Sequence, residues 1–153
     1  MTKRVIYMGA DAAGYPLKES LKVRLIEEGY EVHDLGCHST ESCHYPLYAV
    51  PVAEAVQQAP DTTFGILVCG TGIGMSMCAN KFRGVRAALC TNVFTGEMTR
   101  AHNDANVLCL GARVTDEETA QDILTAFLST PFDGGRHTTR LDLIKDLESR
   151  NFQ

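Results

Sequence analysis

Short apolar runs alternate along this chain with stretches in which apolar residues recur every three or four positions. Val5 to Met8, Glu31 to Leu35, Phe64 to Val68, Val85 to Cys90 and Val107 to Leu110 are the short runs, bounded by glycine or polar residues. Their length and branched aliphatic content predict a strand in each. After the first run, Pro16 suits an opening helical turn, and Leu17, Leu21 and Leu25 repeat at helical spacing as far as Gly29. Helices are predicted likewise near Tyr48 to Gln58, Met75 to Lys81 and Val93 to Ala101. Thr115-Asp-Glu-Glu118 reads as a capping box for another, with Ala120, Ile123, Leu124, Phe127 and Leu128 on its apolar face. A last helix, over about residues 138–150, carries Leu141, Ile144 and Leu147. Strands and helices alternating at these lengths call for a parallel sheet covered on both faces. The expectation is a single doubly wound, Rossmann-like α/β domain over residues 1–153, with five parallel strands.

In such sheets ligands collect outside the carboxyl ends of the strands. After the third run the chain reads Cys69-Gly-Thr-Gly-Ile-Gly74. Alternate glycines let backbone N–H groups converge on one anion, and a helix starting behind them adds its positive end. The same field favours a thiolate at Cys69. A plain connection and an inert buried cysteine fit the turn equally well when it stands alone. Its glycine spacing departs from the dinucleotide fingerprint, and no Lys-Ser or Lys-Thr follows to make a nucleotide P-loop. Other polar residues are predicted to gather at the same end of the sheet: Asp11, His102, Asn103, Arg113, Arg136 and Arg140. In a helix, Arg136 and Arg140 share one face, as a phosphate clamp needs, although a solvated helix face has the same spacing.

A length of 153 residues with 44% hydrophobic content suffices for one real core. A net charge of −5 argues against general nucleic-acid binding, but it leaves room for an anionic substrate where arginines cluster. No apolar run reaches the roughly 20 residues of a membrane span, and the N-terminal apolar stretch is too short for a signal peptide. Six cysteines without C-x-x-C spacing or an export signal read as reduced thiols in a cytoplasm. Cys37, His38, Cys43 and His44 cluster, but their spacing matches no common zinc pattern, and no metal is expected.

Gly9-Ala-Asp11, Tyr45-Pro46, Cys69-Gly-Thr-Gly-Ile-Gly74, Asn80-Lys81, Val85-Arg86-Ala-Ala, His102-Asn-Asp-Ala-Asn106, Gly111-Ala-Arg113 and Gly134-Gly-Arg-His137 follow in order. Nearly end to end, the chain closely resembles the type B ribose-5-phosphate isomerases, whose wider family includes the two galactose-6-phosphate isomerase subunits. The resemblance implies aldose–ketose interconversion of a phosphorylated sugar without metal or organic cofactor. It makes Cys69 the base that moves a proton between C1 and C2. The amides of Gly70, Gly72, Ile73 and Gly74 would hold the cis-enediolate, and Thr71 would assist transfer at the oxygens. His102 paired with Asp11 would open the sugar ring. Asn103 and Tyr45 would contact the sugar, and Arg113, Arg136 and Arg140 the phosphate. It further implies a cytoplasmic homodimer, or a dimer of dimers, with the site at the subunit interface. One departure is Ala12, where ribose-5-phosphate members usually carry histidine. Ribose 5-phosphate is the first expected substrate. A galactose, allose or tetrose phosphate, or a non-catalytic sugar-phosphate-binding role, is the alternative.

Overall fold

The segment Thr63–Cys69 is buried at every residue, and burial on both faces belongs to an interior strand of a parallel sheet. The computed structural model describes residues 2–152. In chain order its elements are β1 (Val5–Ala10), α1 (Tyr15–Glu27), β2 (Val32–Asp34), α2 (Pro46–Gln58) and β3 (Thr63–Cys69). There follow α3 (Ile73–Ala79), β4 (Ala87–Leu89), α4 (Val93–Ala101), β5 (Val107–Gly111), α5 (Glu117–Ser129) and α6 (Arg136–Asn151). The sheet runs β2-β1-β3-β5-β4, and every pairing is parallel. This is the five-stranded, doubly wound arrangement predicted.

Successive side chains of a strand point to opposite faces, which divides the core in two. Ile66 and Val68 of β3 join Leu17, Leu21 and Leu25 of α1 and Ile123, Leu124 and Phe127 of α5. Leu67 and Cys69 face the other way, against Val52 and Val56 of α2 and Met75 of α3. Each such aliphatic side chain contributes roughly 1.5–3 kcal/mol on burial.

Several boundaries differ from those predicted. Helix α2 starts at Pro46 rather than Tyr48, because proline at the first helical position lacks only an N–H that would go unpaired anyway. Helix α5 is capped by Asp116, not Thr115. Asp116 accepts from the Thr119 N–H at 2.8 Å, whereas Thr115 Oγ1 is buried without a partner among the described residues. Helix α6 begins at Arg136, and its leucines and isoleucine find no core: Leu143, Ile144 and Leu147 are 63%, 45% and 47% exposed.

Lys18 is a residue the apolar pattern does not reveal. It lies on the buried face of α1 with no exposed surface, and its Nζ reaches both oxygens of Asp34 in β2 at 2.6 Å. Lys22 meets the same carboxylate at 2.7 Å. Burial alone would raise the Asp34 carboxyl, but the hydrogen bonds from Lys18, Lys22 and the Gly36 N–H outweigh it and hold it below the usual range.

Candidate active site

Strand β3 delivers Cys69 to the carboxyl edge of the sheet, in register with Gly111 of β5. The chain then turns sharply at Gly72, whose φ is +80°. A Cβ there would stand 2.5 Å from Leu89 Cδ1 and 3.0 Å from the Leu110 carbonyl carbon, so the turn admits only glycine. Its backbone N–H thereby points back and donates to Cys69 Sγ at 3.2 Å. Thr71 stands exposed on the turn, where its Oγ1 accepts from the Ile73 N–H at 3.3 Å. The Tyr45 ring lies across Gly74, within 2.5 Å of where a Cβ would be, and the Arg113 guanidinium lies beside Gly70.

The sheet order reverses direction between β1 and β3, and the strand ends part there to leave a crevice. A cleft of about 400 Å³ opens at that place, lined by Asp11, Ala12, Thr40, Cys43, Gly70 and Arg113 among others. Asp11 follows β1, and one of its carboxylate oxygens accepts from the Gly14 N–H at 3.0 Å. Ala12 and Ala13 contribute only small methyl groups to its lining.

All six cysteines are free. Burial pushes the Cys90 thiol up to about 11 and the Cys109 thiol well above its ordinary value, and it raises Cys78 and Cys37 as well. None of these four combines a strand tip with a donated backbone N–H.

A second group of polar residues lies elsewhere. Helix α4 runs back against the strands and ends at His102, whose ring stacks on His137 with centroids 4.2 Å apart. Asp133 Oδ2 is 3.9 Å from His102 Nε2. Arg136 and Arg140 occupy one face of the first turns of α6 beside His137. Burial, then the neighbouring His102, Arg136 and Arg140, hold the His137 imidazole below its ordinary value. Among the described residues, His102, Asp133 and His137 are the three metal-ligating side chains whose donor atoms come within 4.8 Å of one another. Two guanidiniums at the same spot repel a cation and favour an anion.

This placement corrects one expectation. His102 and Asn103 precede β5, and Arg86, at the start of β4, binds the Asn103 and Asp104 carbonyls with its Nε. They therefore sit at the amino edge of the sheet, together with Arg136 and Arg140. Asp11, Tyr45, the Cys69 turn and Arg113 sit at the carboxyl edge. The length of β5, about 13 Å at roughly 3.3 Å per residue, separates the two groups. Within one chain Asp11 does not pair with His102, and Arg113 does not join Arg136 and Arg140. The sequence reading also passed over Asp133 and His137 as neighbours of His102, although the Gly134-Gly-Arg-His137 run pointed to that segment.

The model of the ribose/galactose isomerase family matches residues 6–144. The chain belongs to that family. It is 43% identical over 145 residues to ribose-5-phosphate isomerase B of Escherichia coli (strain K12), covering 95% of this chain and 97% of that protein. Among solved structures, the ribose-5-phosphate isomerase B of Clostridium thermocellum superposes with a TM-score of 0.92 at 46% identity, over 95% of this chain and 97% of that one. The Mycoplasma genitalium ribose-5-phosphate isomerase B with bound ribulose-5-phosphate gives 0.95 at 37% identity, over 99% and 100%. Family members thus share the fold from β1 to α6.

Proposed function

We propose that this protein is an aldose–ketose isomerase of a phosphorylated sugar, with ribose 5-phosphate and ribulose 5-phosphate as the pair interconverted. The observation that carries the reading is Cys69 at the tip of β3 with the Gly72 N–H donated to its sulfur. A base beside an array of backbone donors is what proton abstraction next to a carbonyl requires. The Cys69 thiolate takes the proton from C2 of the open-chain aldose, and the electron pair moves to the carbonyl oxygen. The amides of Gly70, Gly72, Ile73 and Gly74 stabilise the resulting cis-enediolate. Thr71 passes a proton between the two oxygens, and the Cys69 thiol returns its proton to C1. Arg113 lies beside Gly70 to meet the anionic end, and Tyr45 closes the sugar pocket over Gly74.

Ring opening needs a proton delivered to the ring oxygen, and imidazole does this near neutral pH. His102 is the candidate, with Asp11 taking the opposite proton and Asn103 binding hydroxyls. Because these groups lie at opposite edges of one chain, the reading calls for two copies, one lending His102, Asn103, Arg136 and Arg140 to the Cys69 cleft of the other. The exposed Leu143, Ile144 and Leu147 on the helix that carries both arginines support such a homodimer. The E. coli and M. genitalium relatives support the pentose substrate. Ala12 in the cleft keeps a hexose phosphate as the second reading, since its small side chain leaves room for a longer sugar.

Incubation with four- to six-carbon sugar phosphates, followed by NMR of the products in D2O, tests the proposal. Ribulose 5-phosphate formed from ribose 5-phosphate faster than any other conversion, with deuterium gained at C1, is the expected result. Absence of turnover on every sugar phosphate overturns it, and faster turnover of a hexose phosphate moves the second reading ahead.

A further inference from the structure

A cavity of about 650 Å³ is at the amino edge of the sheet, away from the Cys69 cleft. Thr2, Lys3 and Arg4 of the first strand's approach, Phe64, Arg100, Asp104 and the segment Leu128–Phe132 surround it, together with Tyr30. Its volume falls within the range of small-molecule sites. In an acidic protein it gathers three cationic side chains against one carboxylate, that of Asp104.

Two of the cationic groups crowd one aromatic ring. The guanidinium carbons of Arg4 and Arg100 lie 4.2 and 4.9 Å from the centroid of the same ring, Phe64. Burial, then the Arg100 charge, lowers the pKa of the Arg4 guanidinium from its ordinary value. Arg4 uses Nη1 for the carbonyls of Pro60 and Thr63. Arg100, 5% exposed, uses Nη1 for Asp104 Oδ1 and the Ala105 carbonyl. Its Nε is buried and has no partner among the described residues. A buried N–H of a charged group left unpaired costs about 1–3 kcal/mol or more, which an arriving acceptor would offset. Forked guanidiniums suit the oxygens of a phosphate or carboxylate, and Tyr30, Phe132 and Leu128 offer an apolar wall to the rest of the ligand.

The cavity also has a connection to the loop that follows α4. Asp104 holds a left-handed backbone conformation at φ 47°, uncommon for a residue with a side chain. Arg100 binds its carboxylate on one side and Arg86 on the other. His102 and Asn103 are the residues immediately before it. An anion that engages Arg100 competes with Asp104 and alters the restraint on this loop.

We propose that this cavity binds a small anion, phosphate or carboxylate, attached to a flat apolar body, and that its occupancy is transmitted through Arg100 and Asp104 to His102 and Asn103. The binding stands on the cavity alone. Its effect on turnover rests on the isomerase reading.

Titration of the 15N-labelled protein with phenyl phosphate, benzoate and inorganic phosphate separates the possibilities. Saturable amide shifts at Lys3, Phe64 and Phe132 and across His102 to Ala105 are expected with phenyl phosphate or benzoate. They should persist in Arg113→Gln, which impairs the Cys69 cleft, and weaken about tenfold or more in Arg4→Gln and in Phe132→Ala, a change of about 1.4 kcal/mol. Melting curves of the two variants establish that they fold. Shifts confined to the Cys69 turn and lost in Arg113→Gln overturn the site, as does unchanged affinity in both Arg4→Gln and Phe132→Ala. Inorganic phosphate binding as tightly as phenyl phosphate overturns the apolar part. Shifts that stop short of His102 overturn the transmission. With saturating ligand a change in kcat on the sugar phosphate is expected. A protein that binds phenyl phosphate here yet turns over no sugar phosphate keeps the site and loses the isomerase reading.

Discussion

Gly72 combines a left-handed backbone with close packing on Leu89 and Leu110, and its N–H is the one donated to Cys69. Gly72→Ala adds a Cβ where neither the dihedral nor the space accepts one. It should destabilise the fold by about 1–3 kcal/mol, the usual cost of a forced dihedral, and lower kcat further by turning the amide away from the sulfur. Urea denaturation and steady-state kinetics on the same preparation check both parts. Cys69→Ala leaves the turn intact but removes the proposed base. A general base supplies typically 10²–10⁴-fold, so kcat should fall by about that factor while the KM for sugar phosphate stays within about threefold. Cys109→Ser in the adjacent strand should cost stability but change kcat of the folded protein only slightly, because burial keeps that thiol protonated. Equal losses of kcat in the two variants would remove Cys69 from the chemistry. The strand and its glycine turn were legible from residues 69–74, since strand, cysteine and glycines are contiguous. The contacts that Tyr45 and Arg113 make with Gly74 and Gly70 were not, because they join segments far apart in the chain.

At the level of elements, apolar periodicity located every strand and helix, and it missed mainly their ends. Strand β4 is shorter than its apolar run because Asn106 side-chain atoms, rather than a neighbouring strand, bind the Arg86 N–H and the Gly84 carbonyl. The cap of α5 moved from Thr115 to Asp116, both acceptable capping residues one position apart. Lys18 escaped notice for a different reason: a charged residue inside an apolar stripe is read as exposed unless its partner is known. Its partner Asp34 is 16 residues away, on β2. Lys18→Met should destabilise by about 3 kcal/mol, since it strips a part-buried carboxylate of its closest cation. The pH dependence follows from the lowered Asp34 carboxyl. An acid whose folded-state value lies below its unfolded one stabilises above the unfolded value, about 3.9, and loses that contribution as pH falls through the folded value. The stability gap between wild type and Lys18→Met should therefore be full at pH 6 and narrow below pH 4. A gap that stays constant down to pH 3 in urea melts would show that the cost is one of packing.

On the scale of the whole molecule, the sequence names the polar residues but cannot say at which edge of the sheet each falls. His102 and Arg113 are close in the chain, yet β5 carries the backbone from one edge to the other between them. On the two-copy reading, a mixture of Cys69→Ala and His102→Asn chains contains hybrids in which one site has both groups intact and the other has neither. Random pairing makes half the dimers hybrids with one good site in two, so about a quarter of wild-type activity should return after mixed refolding. Each variant refolded alone stays inactive. No recovery in the mixture would mean that both groups act from a single chain.

On that two-copy reading, the length of β5 has a consequence in mass action. A folded single chain, with its core complete and its Cys69 turn formed, would still be catalytically silent. Activity per molecule would rise with protein concentration and fade on dilution at constant helix content, so that the cell's output of product would climb faster than its stock of this protein.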